Sequence, residues 1–238
     1  CFTVRTTAFQ AWLKPLTVAG LVDEWSGPVV NLEAGRLIGP RHWRERHLVG
    51  VPGMNAIARH LAAGHAVRTE VEVAPLGPSA GAMELVSTGG EPLGEYDLVV
   101  STTTPHQTRA LFAGVLAMPG LDRPRMKPCH ALMVALDAPW RQDWIAAKVL
   151  DGPIKWISID STKPGRDRAR ASIVAHTRSS WSRHHAETPT ALLGDVLFDA
   201  LGRAMPAPLS SANVVKAHRW RSALVGKTER PGPFLDHS

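Results

Sequence analysis

The chain has 238 residues, of which 44% are hydrophobic and 20% charged, with a formal net charge of +6 and two cysteines. That balance supports a packed core in one large or two ordinary domains and excludes a framework of several disulfides. No apolar run reaches the roughly 18 residues that a membrane helix needs. The cations are scattered rather than blocked, and the densest cluster, RHWRERH at 41–47, mixes three Arg with one Glu.

In chain order, FQAWLKPL (9–16) is predicted to start a helix that Pro15 ends, because proline lacks the donor a helix interior uses. Residues 22–37 are turn-rich, broken at Gly27-Pro28 and Gly35, and Arg41 to His47 is predicted as a loop. After Pro52-Gly53, Met54, Ile57, Ala58 and Leu61 recur at helical spacing, and Gly64 stops the helix. VRTEVEVAPL (67–76) alternates Val67, Thr69, Val71 and Val73 with Arg68, Glu70 and Glu72, the pattern of a half-buried strand. GAMELVST (81–88) is its expected hairpin partner. YDLVVSTTTP (96–105) is predicted as a strand buried on both faces, opened by Tyr96-Asp97, and 106–117 as a helix.

A Pro-rich break at 118–128 follows. Residues 129–140, 144–150, 154–160 and 171–177 are four strand candidates, for which an antiparallel sheet is the natural arrangement. WSRHH (181–185) is predicted to start a helix capped by Ser179 or Ser180. Residues 187–205 form a further predicted helix, with Thr188 or Thr190 near its start, and 211–225 a last strand. The fold class expected is mixed α/β. A block at 48–118 is set between a first part at 1–47 and a second at 119–222, with 223–238 beyond.

Motifs of nucleotide, metal and hydrolytic chemistry are absent: no GxGxxG, P-loop, HExxH or GxSxG occurs. His184 and His185 are adjacent and point different ways, and no carboxylate or cysteine stands at ligand spacing, so no metal site is expected. Eight Trp against one Tyr is an unusual aromatic balance. Trp156 and Trp220 each sit in a strand beside cations, as Lys155-Trp156 and Arg219-Trp220-Arg221, and strand alternation turns ring and cation to opposite faces. Core packing is the ordinary role of such a Trp. Two aromatic walls on one sheet also suit a flat, conjugated ligand.

Taken in order, VGVPGMNAIARHLA, VRTEVEVAPL, YDLVVSTTTPHQTRALF, PIKWISIDSTKPGR, IVAHTRSSWSRHH and HRWRSALV resemble the FAD-dependent oxidoreductases of the renalase-like branch of the amine oxidase superfamily. The resemblance implies the central part of a Rossmann-type FAD domain interleaved with an antiparallel-sheet substrate domain. It places Val73 against the adenine end of FAD through its main chain. Thr103, Thr104 and Pro105 fall nearest the flavin, where family members carry small apolar residues. It implies a sheet roofing the flavin ring, with Trp156, His176 and Trp220 lining the pocket. Lys155, Lys163 or Arg166 would meet an anionic substrate or stay in solvent, and Arg219 or Arg221 would pair with a phosphate or carboxylate.

The reaction implied is hydride transfer from a small reduced substrate, a dihydronicotinamide isomer or an amine, to flavin N5, with O2 as acceptor. The family's opening GxGxxG unit and its closing segment have no counterpart, so the sequence reads as the middle of such a protein, expected to bind FAD weakly or not at all by itself and to be inactive alone. Cytoplasmic location follows from the free cysteines and the lack of an export signal. Two other readings are a non-catalytic basic polyanion-binding protein, supported by +6 and HRWR, and a truncated remnant. No nucleic-acid module and no membrane segment is recognised, and the sequence does not give an oligomeric state.

Overall fold

The computed structural model describes residues 1–43, 45–79, 81–116, 118, 121, 125–209 and 211–226. The first elements are β1 (Phe2–Thr3), α1 (Thr7–Val18), β2 (Val22–Glu24), β3 (Val29–Glu33), β4 (Arg36–Pro40), β5 (His47–Gly50) and α2 (Asn55–Ala62). Next come β6 (Met83–Val86), β7 (Pro92–Tyr96) and α3 (Pro105–Phe112). The chain continues with β8 (Met126–Leu136), β9 (Ala146–Val149), β10 (Ile154–Ile159), β11 (Ser172–Thr177), α4 (Ser179–His184), α5 (Thr190–Ala204) and β12 (Ala212–Val225). These form two compact units, one of residues 1–65 and 128–221, the other of 66–127 and 222–238. Residues 48–65, expected with the cofactor block, cluster with the first unit, where β5 pairs with β1 and β2.

The first unit is organised by a seven-stranded sheet in the order β12-β8-β11-β10-β9-β3-β4. The expected antiparallel pairing holds for β8, β11, β10 and β9, while β3 joins β9 in parallel. Leu132, Val134, Ile157, Ile159, Ile173 and Ala175 alternate onto one face of it. They bury there against Leu193, Leu197 and Leu201 of α5. Spacing by four residues puts those leucines on one stripe of the helix, so a period of two meets a period of 3.6 along a single seam. The β3–β4 turn takes positive φ at Ala34 (47°) and Gly35 (70°), as a two-residue hairpin turn requires.

Four local expectations change. Pro15 does not end α1, which runs on to Val18. Thr6 caps its start by accepting from Phe9 N–H at 3.2 Å. Ala11 and Pro15 are both exposed, so the carbonyl that proline leaves without a donor faces water. Residues 67–76 do not form a strand: only Val73 pairs, in a lone bridge to Ser87. Glu70 at φ 60° breaks the extended backbone, and Val67 and Val71 are exposed.

Residues 97–104 are not a buried strand either. β7 ends at Tyr96, and Leu98 and Val100 are 76% and 73% exposed. Burial on both faces needs paired edges and cover on both sides, and among the described residues of this unit neither is present. Finally, α4 starts after Arg178 without a side-chain cap, so neither Ser179 nor Ser180 serves as one. Ser182 is the serine engaged there, 2.6 Å from Thr177 Oγ1 in the interior.

Candidate functional site

The face of the large sheet turned away from α5 carries the candidate site. Strand pairing lines up a row across it: Asn31 opposite Lys148, Lys148 opposite Trp156, Trp156 opposite His176, and His176 opposite Ala131. Directly opposed residues in neighbouring strands hold their Cβ atoms about 5 Å apart, so Lys148, Trp156 and His176 form one continuous surface. Trp156 donates its indole N–H to Ser158 Oγ at 2.9 Å, which fixes the ring's orientation. A bulge between Ile154 and Trp156 takes Lys155 out of the alternation, and its side chain is exposed.

A second aromatic layer meets this face. Trp43 lies nearly parallel to Trp156, with centroids 6.4 Å apart and an interplanar angle of 19°. It meets Trp25 edge-on at 5.4 Å and stacks on His47 at 3.6 Å. Trp25 is buried, and its indole N–H donates to Thr162 Oγ1 at 2.9 Å. Thr162 lies in the turn that follows β10. In the same turn Asp160 pairs with both Lys163 and Arg166, and the Lys163 ammonium stands 5.2 Å from the Trp25 ring centroid. The aromatic strand therefore runs into a cationic turn because the turn's own residues brace the aromatic cluster, by one hydrogen bond and one cation–π contact.

Two cations on one carboxylate leave this turn net positive. Burial holds the His176 imidazole below its ordinary pKa, and the Lys163 ammonium adds to the effect. His176 is thus neutral at pH 7. Burial lowers His47 in the same direction.

Trp220 lies on β12 at the edge of the sheet, with β8 between it and β11. The residue is 56% exposed, and its ring meets His218 edge-on at 4.6 Å. Arg219 donates to the carbonyl of Ala186, and Arg221 pairs with Glu187 at 3.0 Å. Both arginines thus reach the segment between α4 and α5, which turns Trp220 to the opposite face, the one bearing Trp156 and His176. The structure brings Trp156 and His176 together, leaves Trp220 at the margin of their face, and holds Arg219 and Arg221 away from it.

In the second unit, the bridge between Val73 and Ser87 is closed by Ala74 N–H to Val86 O (2.8 Å) and Thr88 N–H to Glu72 O (2.9 Å). Neighbours make both bonds, so the N–H and C=O of Val73 itself point away from the hairpin. Thr103 Oγ1 lies 2.9 Å from Ser101 Oγ and 3.0 Å from Thr108 Oγ1. Thr104 caps α3, its N–H and hydroxyl both donating to Gln107 Oε1 at 3.3 and 2.8 Å, and Pro105 is the first helical residue.

Sequence reasoning missed Lys148, Trp25, Trp43 and His47. Lys148 was legible as the polar residue of WIAAKVL on the face alternate to Ala147 and Val149. Trp43 and His47 sit in a polar stretch with no periodicity, and no local signal marks them.

No family model matches the chain. Among solved structures it is similar to a putative protoporphyrinogen oxidase from Exiguobacterium sp. 255-15, with a TM-score of 0.62 at 15% identity over 79% of this chain and 43% of that one. It is also similar to a putrescine oxidase variant made to redesign cofactor binding, at 0.55 and 12% identity, over 73% of this chain and 39% of that one. The wild-type putrescine oxidase bound to putrescine gives 0.51 and 13% identity. The chain shares their fold. It spans about two-fifths of the length of these structures. Among the described residues, no helix is long and apolar enough to cross a membrane.

Proposed function

We propose that these residues belong to an FAD-dependent oxidoreductase that oxidises a small reduced molecule on the sheet face carrying Lys148, Trp156 and His176. The observation that carries the reading is that row, backed by Trp43 and set in a fold shared with solved oxidases. The outward N–H and C=O of Val73 suit a ligand read through the main chain, as the adenine end of FAD would be. Thr103, Thr104 and Pro105 are the further FAD-contacting residues of this proposal. FAD, when bound, supplies two-electron oxidation at its N5 atom, with O2 as the proposed final acceptor.

The chain's own residues do the rest. Trp156, held by Ser158, offers a flat apolar wall against which a planar substrate is oriented. Neutral His176 accepts a hydrogen bond from the substrate without adding positive charge. Trp220 closes the margin of the face. Lys148 and Lys163, with Lys155 nearby in the chain, make the surroundings cationic. That favours a donor bearing a negative group, such as the phosphate of a dihydronicotinamide nucleotide isomer, over a protonated amine.

The test is anaerobic rapid mixing of the flavin-loaded protein that contains these residues with a dihydronicotinamide isomer or an amine, following loss of the oxidised-flavin absorbance. The nucleotide is expected to reduce the flavin faster. Trp156→Ala is expected to slow that reduction about tenfold or more while the circular dichroism spectrum is kept. A protein that takes up no flavin would sink the reading.

A further inference from the structure

A cleft of about 690 Å³ opens beside the aromatic cluster in the first unit, and neither Trp156 nor His176 borders it. Ligand sites for small molecules fall within about 300–1,000 Å³ and are mostly apolar with a few placed polar groups. This cleft has that character. Trp25, Trp43, Pro28, Val29 and Leu37 give it aromatic and aliphatic walls. Both indoles are pre-positioned, Trp25 by its bond to Thr162 and Trp43 by its stack on His47. A ring entering the cleft therefore meets surfaces that lose little freedom on binding.

Charge at the cleft is already sorted. Glu24 is taken by Arg46 at 2.6 Å, and Glu45 by Arg5 at 3.2 Å. Arg41 also borders the cleft, and among the described residues its guanidinium has no ion-pair or hydrogen-bond partner. The backbone at Arg41 is fixed, its N–H donating to Val29 O at 2.7 Å, so the free side chain is rooted at one place on the wall. One uncommitted guanidinium beside apolar walls matches one negative charge on a flat apolar body. Its planar fork fits the two oxygens of a carboxylate.

We propose that this cleft binds an aromatic carboxylate, with the ring against Trp43 and the carboxylate on Arg41. The proposal does not need the flavin reading: the cleft shares with that site only Trp43, which backs Trp156, and none of Lys148, Trp156 and His176 borders it.

Equilibrium dialysis of the purified chain against naphthoate tests it, with naphthylmethylammonium and naphthyl phosphate as comparators. Naphthoate is expected to bind saturably and more tightly than either. Arg41→Ala should weaken it about tenfold or more, the scale of a lost charged hydrogen bond. Arg41 is exposed, so that variant leaves the fold intact, and Trp220→Ala, outside the cleft, should leave binding unchanged. Absence of saturable naphthoate binding, equal binding of the ammonium, tighter binding of the phosphate, or an Arg41→Ala affinity like that of the parent would each overturn the assignment.

Discussion

His130 is fully buried, and among the described residues neither of its ring nitrogens has a hydrogen-bond partner. Its ring meets Trp181 edge-on at 5.6 Å. Burial pushes its pKa down from 6.5, and the neighbouring charges of Arg219 and His185 push it the same way. A histidine held neutral in the folded state is protonated first in the unfolded chain. Its contribution to stability is therefore complete above about pH 6.5 and is lost as the pH falls below that value. His47 and His176 are displaced in the same direction, so acid should destabilise the fold through several imidazoles together. Thermal melts between neutral and mildly acidic pH should show the midpoint of His130→Phe falling less steeply than that of the parent; parallel slopes would remove His130 from the account. At this scale the sequence was partly legible. Trp156 was singled out by strand alternation beside cations and His176 through the family resemblance, since a His ending an apolar strand reads locally as structural. Their direct opposition, and the bracing of Trp25 by Thr162 across 137 residues, depend on sheet register and on contacts that no local pattern encodes.

The turn after β10 is the element on which this face rests. Gly165 there has φ 70°, and a Cβ on it would stand 2.6 Å from Val51 Cγ1 and 3.2 Å from Pro52 Cα. Gly165→Ala therefore meets both backbone strain and a clash with a side chain that cannot swing far, and should cost about 1–3 kcal/mol. Gly64 at φ 85° has open space around it, so Gly64→Ala should cost only about 1 kcal/mol. Urea unfolding of the two variants reads the difference, and equal losses would show that the close approach at Gly165 is relieved by movement. Strands 126–136, 154–159 and 172–177 were readable because each carries apolar residues for a face that α5 covers. Residues 67–76 and 97–104 carry similar patterns and stay unpaired or nearly so. Alternation states what a segment can bury when it has neighbours, and the described residues supply a single bridge for 67–76 and no paired strand for 97–104.

Across the whole chain, apolar burial is uneven. The three hydrophobic clusters lie in the first unit, while in the second only Leu76, Leu93 and Phe112 are buried among the described residues. A unit with so small an interior is marginal by surface-to-volume arithmetic. Calorimetry of the chain should resolve two transitions, the lower one tracking amide exchange at 66–127. A single transition shared by all amides would show that the units melt as one. The pairing of β5 with β1 and β2 depends on contacts between separate segments that the turn residues at 40–48 do not announce. The outward-facing peptide group of Val73 has a consequence of its own. A handle made of amide and carbonyl is the same for every side chain except proline, so selection has no letter to preserve there. A ligand held there, as the proposed function has it, would leave no signature for a motif search to find.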